Sequence, residues 1–457
     1  MTTISWERNS ARKSVLNLTD VIEHQRLSRF QLTTIALCIL VAVLDGFDTQ
    51  CIGLLAPAIA QSLNLDLHAF GPVFGAGLFG LMLGSLVMGP VADRWGRRWA
   101  LIGSTLSFGV LSAVTPIATS LDQLMILRFL TGLGLGGAMP NVVALTAEYA
   151  PTRLRTTLVA IIFCGMPLGA VLGSIVSALL LPRTGWSSVF YVGGALPMLI
   201  AFVLIAKLPE SVRFLIVKGA NHLRIARLMA RVSPGLSIDR DLRFIAEAPQ
   251  TGFPIRNLFT DGRAIGTLLL WVPYLMNLLI LYFIVSWMPA MLKQAQMPIA
   301  AGITAITLFS VGGIIGSLGQ GRVMSLVGEH LTIIVEFVCS IALIAALGLL
   351  PISYLTVMSI IFLLGVTVQG AQAGLNALVA GFYPTEMRST GIGWAFGIGR
   401  IGSIIGPTLG GLLLSLSWEP HQIFLSGTLP AIAAAIALGL FSRISRDRTP
   451  CRLSRPA

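Results

Sequence analysis

The sequence predicts an all-α polytopic membrane protein: twelve transmembrane helices in two six-helix bundles related by a parallel repeat. Three observations predict it. First, the 457 residues are 55% hydrophobic and only 11% charged, with a mean hydropathy of +0.85. A soluble domain carries about 25% charged residues, so this chain lacks the charge to cover a water-facing surface. Second, twelve apolar runs are long enough to cross a bilayer, which takes about 20 residues as a helix. Third, features of the first six runs recur in the last six at a near-constant spacing. The same composition excludes a soluble enzyme with one apolar core, and it excludes intrinsic disorder.

In chain order, residues 1–30 form a polar tail of mixed charge. The runs, numbered as spans 1 to 12, cover approximately 31–60, 68–92, 99–118, 122–149, 154–181, 187–207, 264–292, 298–324, 331–350, 352–382, 388–415 and 422–441. The predicted N-terminal bundle is therefore 31–207, the central loop 208–263, the C-terminal bundle 264–441 and a basic tail 442–457. Several runs are longer than a bilayer requires, so tilt or kinking is expected. Glycines (48) and prolines (23) are frequent within them; lipid-embedded helices tolerate both, and glycine permits close helix contact. The first run is too long for a cleavable signal segment.

The net charge of +12 is distributed one-sidedly. With residue 1 inside, Arg183 and Lys293 are the basic residues of the outer loops, and Arg128 and Arg400 fall within spans. The others lie at the inner face, many of them in the central loop: Arg213, Arg224, Arg227, Arg231, Arg240, Arg243, Arg256 and Arg263. Positive charge marks the cytoplasmic side. Both termini are expected in the cytoplasm and the protein in the cell inner membrane, with no nucleic-acid partner. Cys38, Cys51, Cys164 and Cys339 lie in apolar runs and Cys451 in the tail. They lack metal-ligand spacing, and an odd number argues against a disulfide framework; they are expected as small buried apolar residues.

The repeat is visible residue by residue. Pro151-Thr152-Arg153-Leu154-Arg155-Thr156-Thr157 matches Pro384-Thr385-Glu386-Met387-Arg388-Ser389-Thr390 at an offset of 233, as do Gly169 and Gly173 with Gly402 and Gly406, and Leu196-Pro197 with Leu429-Pro430. Gly89, Val91 and Gly96 match Gly321, Val323 and Gly328 at 232. An offset of six helices gives both halves the same topology, and a substrate site is expected between them near the midplane.

The polar residues inside the spans are the candidate site. Asp45 lies near mid-bilayer in span 1, and Asp48 is three residues on. At 100° and 1.5 Å per residue they are about 60° and about 4.5 Å apart, on one face. An ionised Asp at a helix centre costs about 2.5–3.5 kcal/mol, and a second carboxylate adds repulsion. One of the pair is a candidate proton carrier, Asp45 first because it is deeper; the alternative is a static ion pair or a polar cluster at a kink. Arg400, within span 11, presents a donor fork suited to a carboxylate. It binds a substrate carboxylate, pairs with Asp45 in the empty state, or does each in turn; the alternative is a purely structural pair with a carboxylate. Arg128, near the outer end of span 4, draws anions into an outer vestibule or snorkels to headgroups. Glu148, about 30 Å away at the inner end, belongs to an inner gate with Arg94, Arg97 or Arg98, or to a proton path. Gln369, Gln372 and Asn376 share one face of span 10 and hydrogen-bond either substrate or neighbouring helices. Asn141, Tyr274, Asn277 and Tyr282 are weaker candidates of the same kind. Phe47 and Trp394 either stack on an aromatic ring or serve packing. His330, opening span 9, is either functional or a solvated end residue. Gly132, Gly134, Gly136 and Gly137 lie inside a span and follow no strand, so they are helix packing rather than a nucleotide loop. No metal or cofactor is expected.

The run Gly89-Pro-Val-Ala-Asp93-Arg94-Trp-Gly96-Arg97-Arg98, between spans 2 and 3, resembles the signature loop of the major facilitator superfamily. Pro209-Glu210-Ser-Val-Arg213-Phe-Leu resembles its end-of-half motif. The second-half copy of the loop is degraded, with Ser325 and Leu326 where Asp93 and Arg94 stand. Leu44-Asp45-Gly46-Phe47-Asp48-Thr49 is similar to a motif of the aromatic acid:proton symporters. So are Arg128-Phe-Leu-Thr-Gly132 with Met139-Pro140-Asn141 and Glu148-Tyr149, and Tyr383-Pro384-Thr385 with Arg388, Trp394 and Gly399-Arg400. The resemblance implies a major facilitator fold in which Gly89, Asp93, Arg94, Gly96, Arg97, Arg98 and Arg388 gate the inner face. Asp93 would cap the inner end of span 11 in the outward-facing state, at a helix N-terminus that stabilises a carboxylate. It also implies import of small aromatic carboxylates of the hydroxybenzoate and protocatechuate class, with the proton gradient as energy source and the monomer as functional unit. The alternatives are a proton-driven exporter and an aromatic-acid chemoreceptor. Gly402-x-x-x-Gly406-Pro407-x-x-Gly410-Gly411 resembles an exporter motif, but it lies in span 11 rather than span 5.

Overall fold

The computed structural model describes residues 15–17, 27–220, 222–232, 243–245, 255–349, 353–384 and 387–447. Among them, twelve helices are long and apolar enough to cross a membrane. They are Arg29–Leu63, Leu67–Trp95, Arg97–Ile117, Leu121–Tyr149, Thr152–Thr184, Trp186–Lys207, Ala264–Gln294, Ile299–Val327, Glu329–Leu349, Tyr354–Phe382, Thr390–Ser415 and Pro420–Ile444. These are spans 1 to 12, and the chain is a multi-pass membrane protein.

Local chemistry sets the ends and breaks. Span 1 starts at a capping box, in which the Ser28 hydroxyl accepts from the Gln31 N–H and the Gln31 side chain accepts from the Ser28 N–H. Span 4 is interrupted at Gly137, between Leu121–Gly136 and Ala138–Tyr149. Pro140 supplies no N–H there, and the Asn141 amide donates to the Gly137 carbonyl at 2.8 Å. Span 12 breaks at Gly427.

The helices pack in matched pairs. Span 1 packs on 5, 2 on 4 and 3 on 6; in the second half, span 7 packs on 11, 8 on 10 and 9 on 12. Moving six helices along the chain converts each pair into its counterpart, as a parallel repeat requires. The two bundles meet through spans 1 and 7, 2 and 11, and 5 and 8, and the same operation interconverts the last two contacts. Glycine makes the close crossings possible: a Cβ on Gly46 would collide with the Met166 backbone of span 5, and one on Gly402 with the Leu275 backbone of span 7.

The apolar cores are distributed unevenly along the helix axes. One cluster joins both bundles at the face away from the Gly89–Arg98 loop, with Leu55, Ile59, Phe70 and Phe74 against Phe283, Trp287 and Met291. Lys293 adds a cross-bundle hydrogen bond to the Pro57 carbonyl at 3.3 Å. Toward the loop face, called here the basic face, each bundle has its own core, one around Leu101, Tyr149 and Leu204, the other around Phe337, Leu375 and Tyr383. The bundles are thus sealed at one face and part toward the other, where Phe163 and Phe396 still touch edge to face at 6.4 Å between ring centres.

Three features depart from the sequence reading. Val15–Asn17 and Arg243–Ile245 pair as two short parallel strands, tying the N-terminal tail to the central segment. That segment also holds helices Val212–Val217 and His222–Val232; the second buries Ile225, Met229 and Val232 against the N-terminal bundle and turns Arg227 outward. Cys38, Cys51 and Cys164 are buried as expected, but Cys339 is exposed on a helix whose outer surface lipid can cover. Cys451 lies outside the described residues.

Candidate functional site

Span 1 carries Asp45 and Asp48, each 1% exposed, and the structure gives them different partners. Asp48 accepts from Arg128 of span 4 at 3.3 Å, inside the N-terminal bundle. Arg128 is itself 4% exposed. It also donates to Thr115 at 2.6 Å and Thr131 at 3.4 Å, and lies over the Phe190 ring at 5.0 Å. This corrects one sequence reading of Arg128: it does not snorkel to headgroups but is held inside the protein by Asp48, lining a pocket between the bundles. Asp45 accepts from the Thr49 hydroxyl at 3.2 Å. It has no ion pair among the described residues, Arg400 of the opposite bundle included. Arg400 in turn meets no carboxylate among the described residues and donates to the Tyr282 hydroxyl at 3.4 Å.

Spans 7 and 10 share a polar network. Tyr274 donates to Asn376 at 2.6 Å, Gln372 to the same Asn376 oxygen at 3.2 Å, and Asn277 to Gln372 at 2.9 Å and to the Val368 carbonyl at 3.1 Å. Gln369 is turned away from it, donating to the Phe309 carbonyl of span 8 at 3.4 Å. The three amides therefore do not act as one row, since helix-to-helix hydrogen bonds claim each of them.

Asp48, Thr49, Gln50, Phe74, Arg128, Thr131, Tyr282 and Ser286 are among the residues lining a pocket of about 510 Å³ between the bundles. Asp45 and Arg400 sit beside it, one turn from Thr49 and one hydroxyl behind Tyr282 respectively.

Glu148 is part of a cluster at the basic face, well away from Asp45. It pairs with Arg97 and accepts from Ser211 at 2.6 Å. Beside it, Glu210 accepts from the Arg98 N–H at 3.1 Å and the Ser211 N–H at 2.8 Å, a carboxylate at the start of span 3. Gly96 permits this approach: its φ is +101°, and a Cβ there would strike Glu210. Arg98 also donates to the Ile205 carbonyl at 2.6 Å. Asp93, Arg94 and Arg388 are exposed, and none makes an ion pair among the described residues; the Asp93 contact with span 11 is not formed here, in keeping with bundles that part at this face. Gly89 has open space around it.

Other predicted residues have structural surroundings. Phe47 is buried against Gly173 and Gly193 of the N-terminal bundle, so its ring is core packing rather than a stacking platform. Trp394 is exposed and stacks on Trp271 at 6.2 Å, not on the pocket. Asn141 spends its amide on the span 4 break. His330, read as functional or a solvated end residue, stacks on Phe441 at 5.5 Å. The exporter-like stretch of span 11 is occupied in packing, with Trp287 donating to the Pro407 carbonyl at 2.7 Å. Sequence reasoning passed over Gln50 and Ser286 of the pocket, and Glu336 of span 9, which accepts from Gln320 at 3.1 Å. The signal for Glu336 was present, an acid seven residues inside an apolar run; Gln50 and Ser286 carry none without the partner bundle.

The model of the Major Facilitator Superfamily matches residues 38–407. The chain belongs to the major facilitator superfamily. Within it, the chain is 38% identical over 437 residues to the 4-hydroxybenzoate transporter PcaK of Pseudomonas putida, covering 94% of this chain and 96% of that one. It is 38% identical over 425 residues to the gallate transporter of Pseudomonas putida, covering 93% and 94%. It is 34% identical over 425 residues to the 3-(3-hydroxy-phenyl)propionate transporter of Escherichia coli (strain K12), covering 93% and 97%. The fold is similar to a crystal structure of a bacterial homologue of the human lysosomal transporter Spinster, described as inward-facing and unoccupied, with a TM-score of 0.69 at 14% identity, covering 93% of this chain and 99% of that one. As a superfamily member whose relatives are aromatic acid transporters, the chain is a transporter and not an enzyme.

Proposed function

We propose that this transporter imports small aromatic carboxylates across the cell inner membrane by proton symport with alternating access, its basic face and both termini being cytoplasmic. The observation that carries the reading is the unequal pairing of the midplane charges. Asp48 and Arg128 neutralise each other within one bundle, whereas Asp45 and Arg400, on different bundles, make no ion pair among the described residues and hold only hydroxyls, Thr49 and Tyr282. One carboxylate is left to take up a proton and one guanidinium to receive a substrate carboxylate, and each stands on the side of the interface that moves relative to the other.

In the proposed cycle, a proton reaches Asp45 from outside and removes its pull on Arg400. A substrate carboxylate takes the vacated guanidinium, with Tyr282 beside it, and its ring occupies the apolar part of the pocket. With both charges satisfied the bundles rock, opening the basic face as Asp93 leaves span 11 and closing the opposite face through the core around Phe74 and Trp287. One proton with one monoanion is electroneutral and draws on the pH gradient alone, whereas a second proton would add about 2.3 kcal/mol per 100 mV.

The test is pH-jump uptake of radiolabelled 4-hydroxybenzoate into proteoliposomes, with and without a protonophore. Accumulation abolished by the protonophore is the expected result. Accumulation that survives it refutes proton coupling. Silence with every benzoate tried refutes aromatic import and favours export, and counterflow without accumulation points to a receptor-like or uncoupled protein.

A further inference from the structure

Two residues of the pocket between the bundles carry a buried acceptor atom to which nothing donates among the described residues: Gln50 Oε1 and Asp48 Oδ1. Buried side-chain polar atoms are nearly always paired, and an unpaired one is costly in proportion to its desolvation. Three nearby donors are committed elsewhere, the Thr49 hydroxyl to Asp45 at 3.2 Å, the Thr131 hydroxyl to the Leu127 carbonyl at 2.7 Å and Arg128 Nη1 to the other oxygen of Asp48 at 3.3 Å, and the Tyr282 and Ser286 hydroxyls of the same pocket donate to neither acceptor. What completes this wall is a ligand that donates.

The rest of the lining says what kind of ligand carries that donor. On span 7, Tyr282 has the Arg400 guanidinium at 3.4 Å, which suits an anion. Ile52, Val73, Phe74, Leu78 and Val285 supply apolar surface. A molecule with a carboxylate, an apolar ring and a hydroxyl on that ring matches all three. We infer that Gln50 is a specificity-determining residue: its carboxamide oxygen accepts the ring hydroxyl of a hydroxylated aromatic carboxylate, so the pocket selects hydroxylated rings over unsubstituted ones. This rests on the aromatic-acid reading above and adds to it the substituent that is read and the residue that reads it.

Gln50 carries the role better than Asp48. Asp48 is tied to a buried arginine, so its oxygens are held in place by that pair and its removal strands a cation. The Gln50 side chain is neutral and its buried oxygen has no partner among the described residues, so a turn of the carboxamide toward the pocket would bring that oxygen to an incoming hydroxyl. A site that hydrogen-bonds a substrate hydroxyl rejects the analogue lacking it, because its own polar atom is then left unpaired. For a single neutral acceptor the expected discrimination is about tenfold or more.

The experiment uses the full chain in proteoliposomes and measures how unlabelled 4-hydroxybenzoate, benzoate and 4-fluorobenzoate inhibit uptake of radiolabelled 4-hydroxybenzoate. 4-Fluorobenzoate fills the same ring position without a donor. In the parent protein, 4-hydroxybenzoate is expected to inhibit at a concentration at least about tenfold lower than either analogue. Gln50→Met, similar in size but without the acceptor, should narrow that ratio to within about threefold by weakening 4-hydroxybenzoate, and Gln50→Glu, which keeps an acceptor, should retain the preference for the hydroxyl. Equal inhibition by all three compounds in the parent overturns the inference while leaving aromatic import standing. So does full preference in Gln50→Met. Should Gln50→Met fail to reach the membrane, the parent ratio together with Gln50→Glu decides. No uptake of any aromatic acid by the parent overturns the aromatic reading and this inference with it.

Discussion

Replacing Arg128 with Gln separates a structural arginine from a substrate-attracting one. The Arg128–Asp48 contact is 3.3 Å long, with side chains 4% and 2% exposed. Arg128 also holds Thr115 and Thr131 and covers the Phe190 ring. Removing one member of such a pair strands the other charge, which costs about 3–5 kcal/mol. Unfolding entropy of about 2.1 cal/mol/K per residue over 457 residues amounts to about 1 kcal/mol/K, so the melting temperature should fall by about 3–5 °C. Asp48→Asn should cost a similar amount by stranding Arg128. The double variant replaces the ion pair with two neutral amides and should melt above either single variant, so the coupling between the sites is at least one single loss, about 3–5 kcal/mol. The assay is thermal unfolding of the four purified proteins in detergent, side by side. A single variant melting within about 1 °C of the parent, or a double variant as unstable as the two singles summed, refutes the buried-pair argument. An anion-attracting Arg128 would instead show weakened uptake at unchanged melting.

Asp45→Asn should abolish uphill accumulation while retaining counterflow, since exchange needs no net proton movement; accumulation persisting in that variant removes Asp45 from the coupling step. Arg400→Gln should raise the half-saturating concentration for an aromatic carboxylate by about 10- to 100-fold, the worth of a hydrogen bond to a charged group, as read by counterflow; an unchanged value would place the carboxylate elsewhere. Gly46→Ala forces a methyl into the Met166 backbone and should cost about 1–3 kcal/mol by overpacking. Gly89→Ala meets open space and should melt like the parent, and the two compared by thermal unfolding test whether glycines here serve close packing. Gly96→Ala combines a φ of +101° with a clash against Glu210, so it should lower the melting temperature more than Glu210→Gln, which keeps one acceptor for the Arg98 and Ser211 N–H groups.

The sequence by itself determined the twelve spans, because crossing a bilayer demands long apolar helices whose backbone groups are satisfied within the segment, and that demand is written in consecutive residues. It determined the duplication, since paired motifs such as Pro151–Thr157 and Pro384–Thr390 survive in both halves. It also picked out Asp45, Asp48 and Arg400, because charge in an apolar run is conspicuous whatever surrounds it. The tertiary structure decided who meets whom. Asp45 and Asp48 share a helix face, yet Asp48 is paired with Arg128 within its own bundle while Asp45 holds only the Thr49 hydroxyl, a difference set by where span 4 passes. Gln369, Gln372 and Asn376 form one stripe on paper, but spans 7 and 8 divide them. Phe47 and Trp394 have the right chemistry for a stacking platform and face the wrong way. Gln50 is one polar residue among many until span 7 brings Tyr282 and Ser286 opposite it. Helix formation follows local sequence, whereas pairing of buried polar groups depends on neighbours contributed by residues far away in the chain.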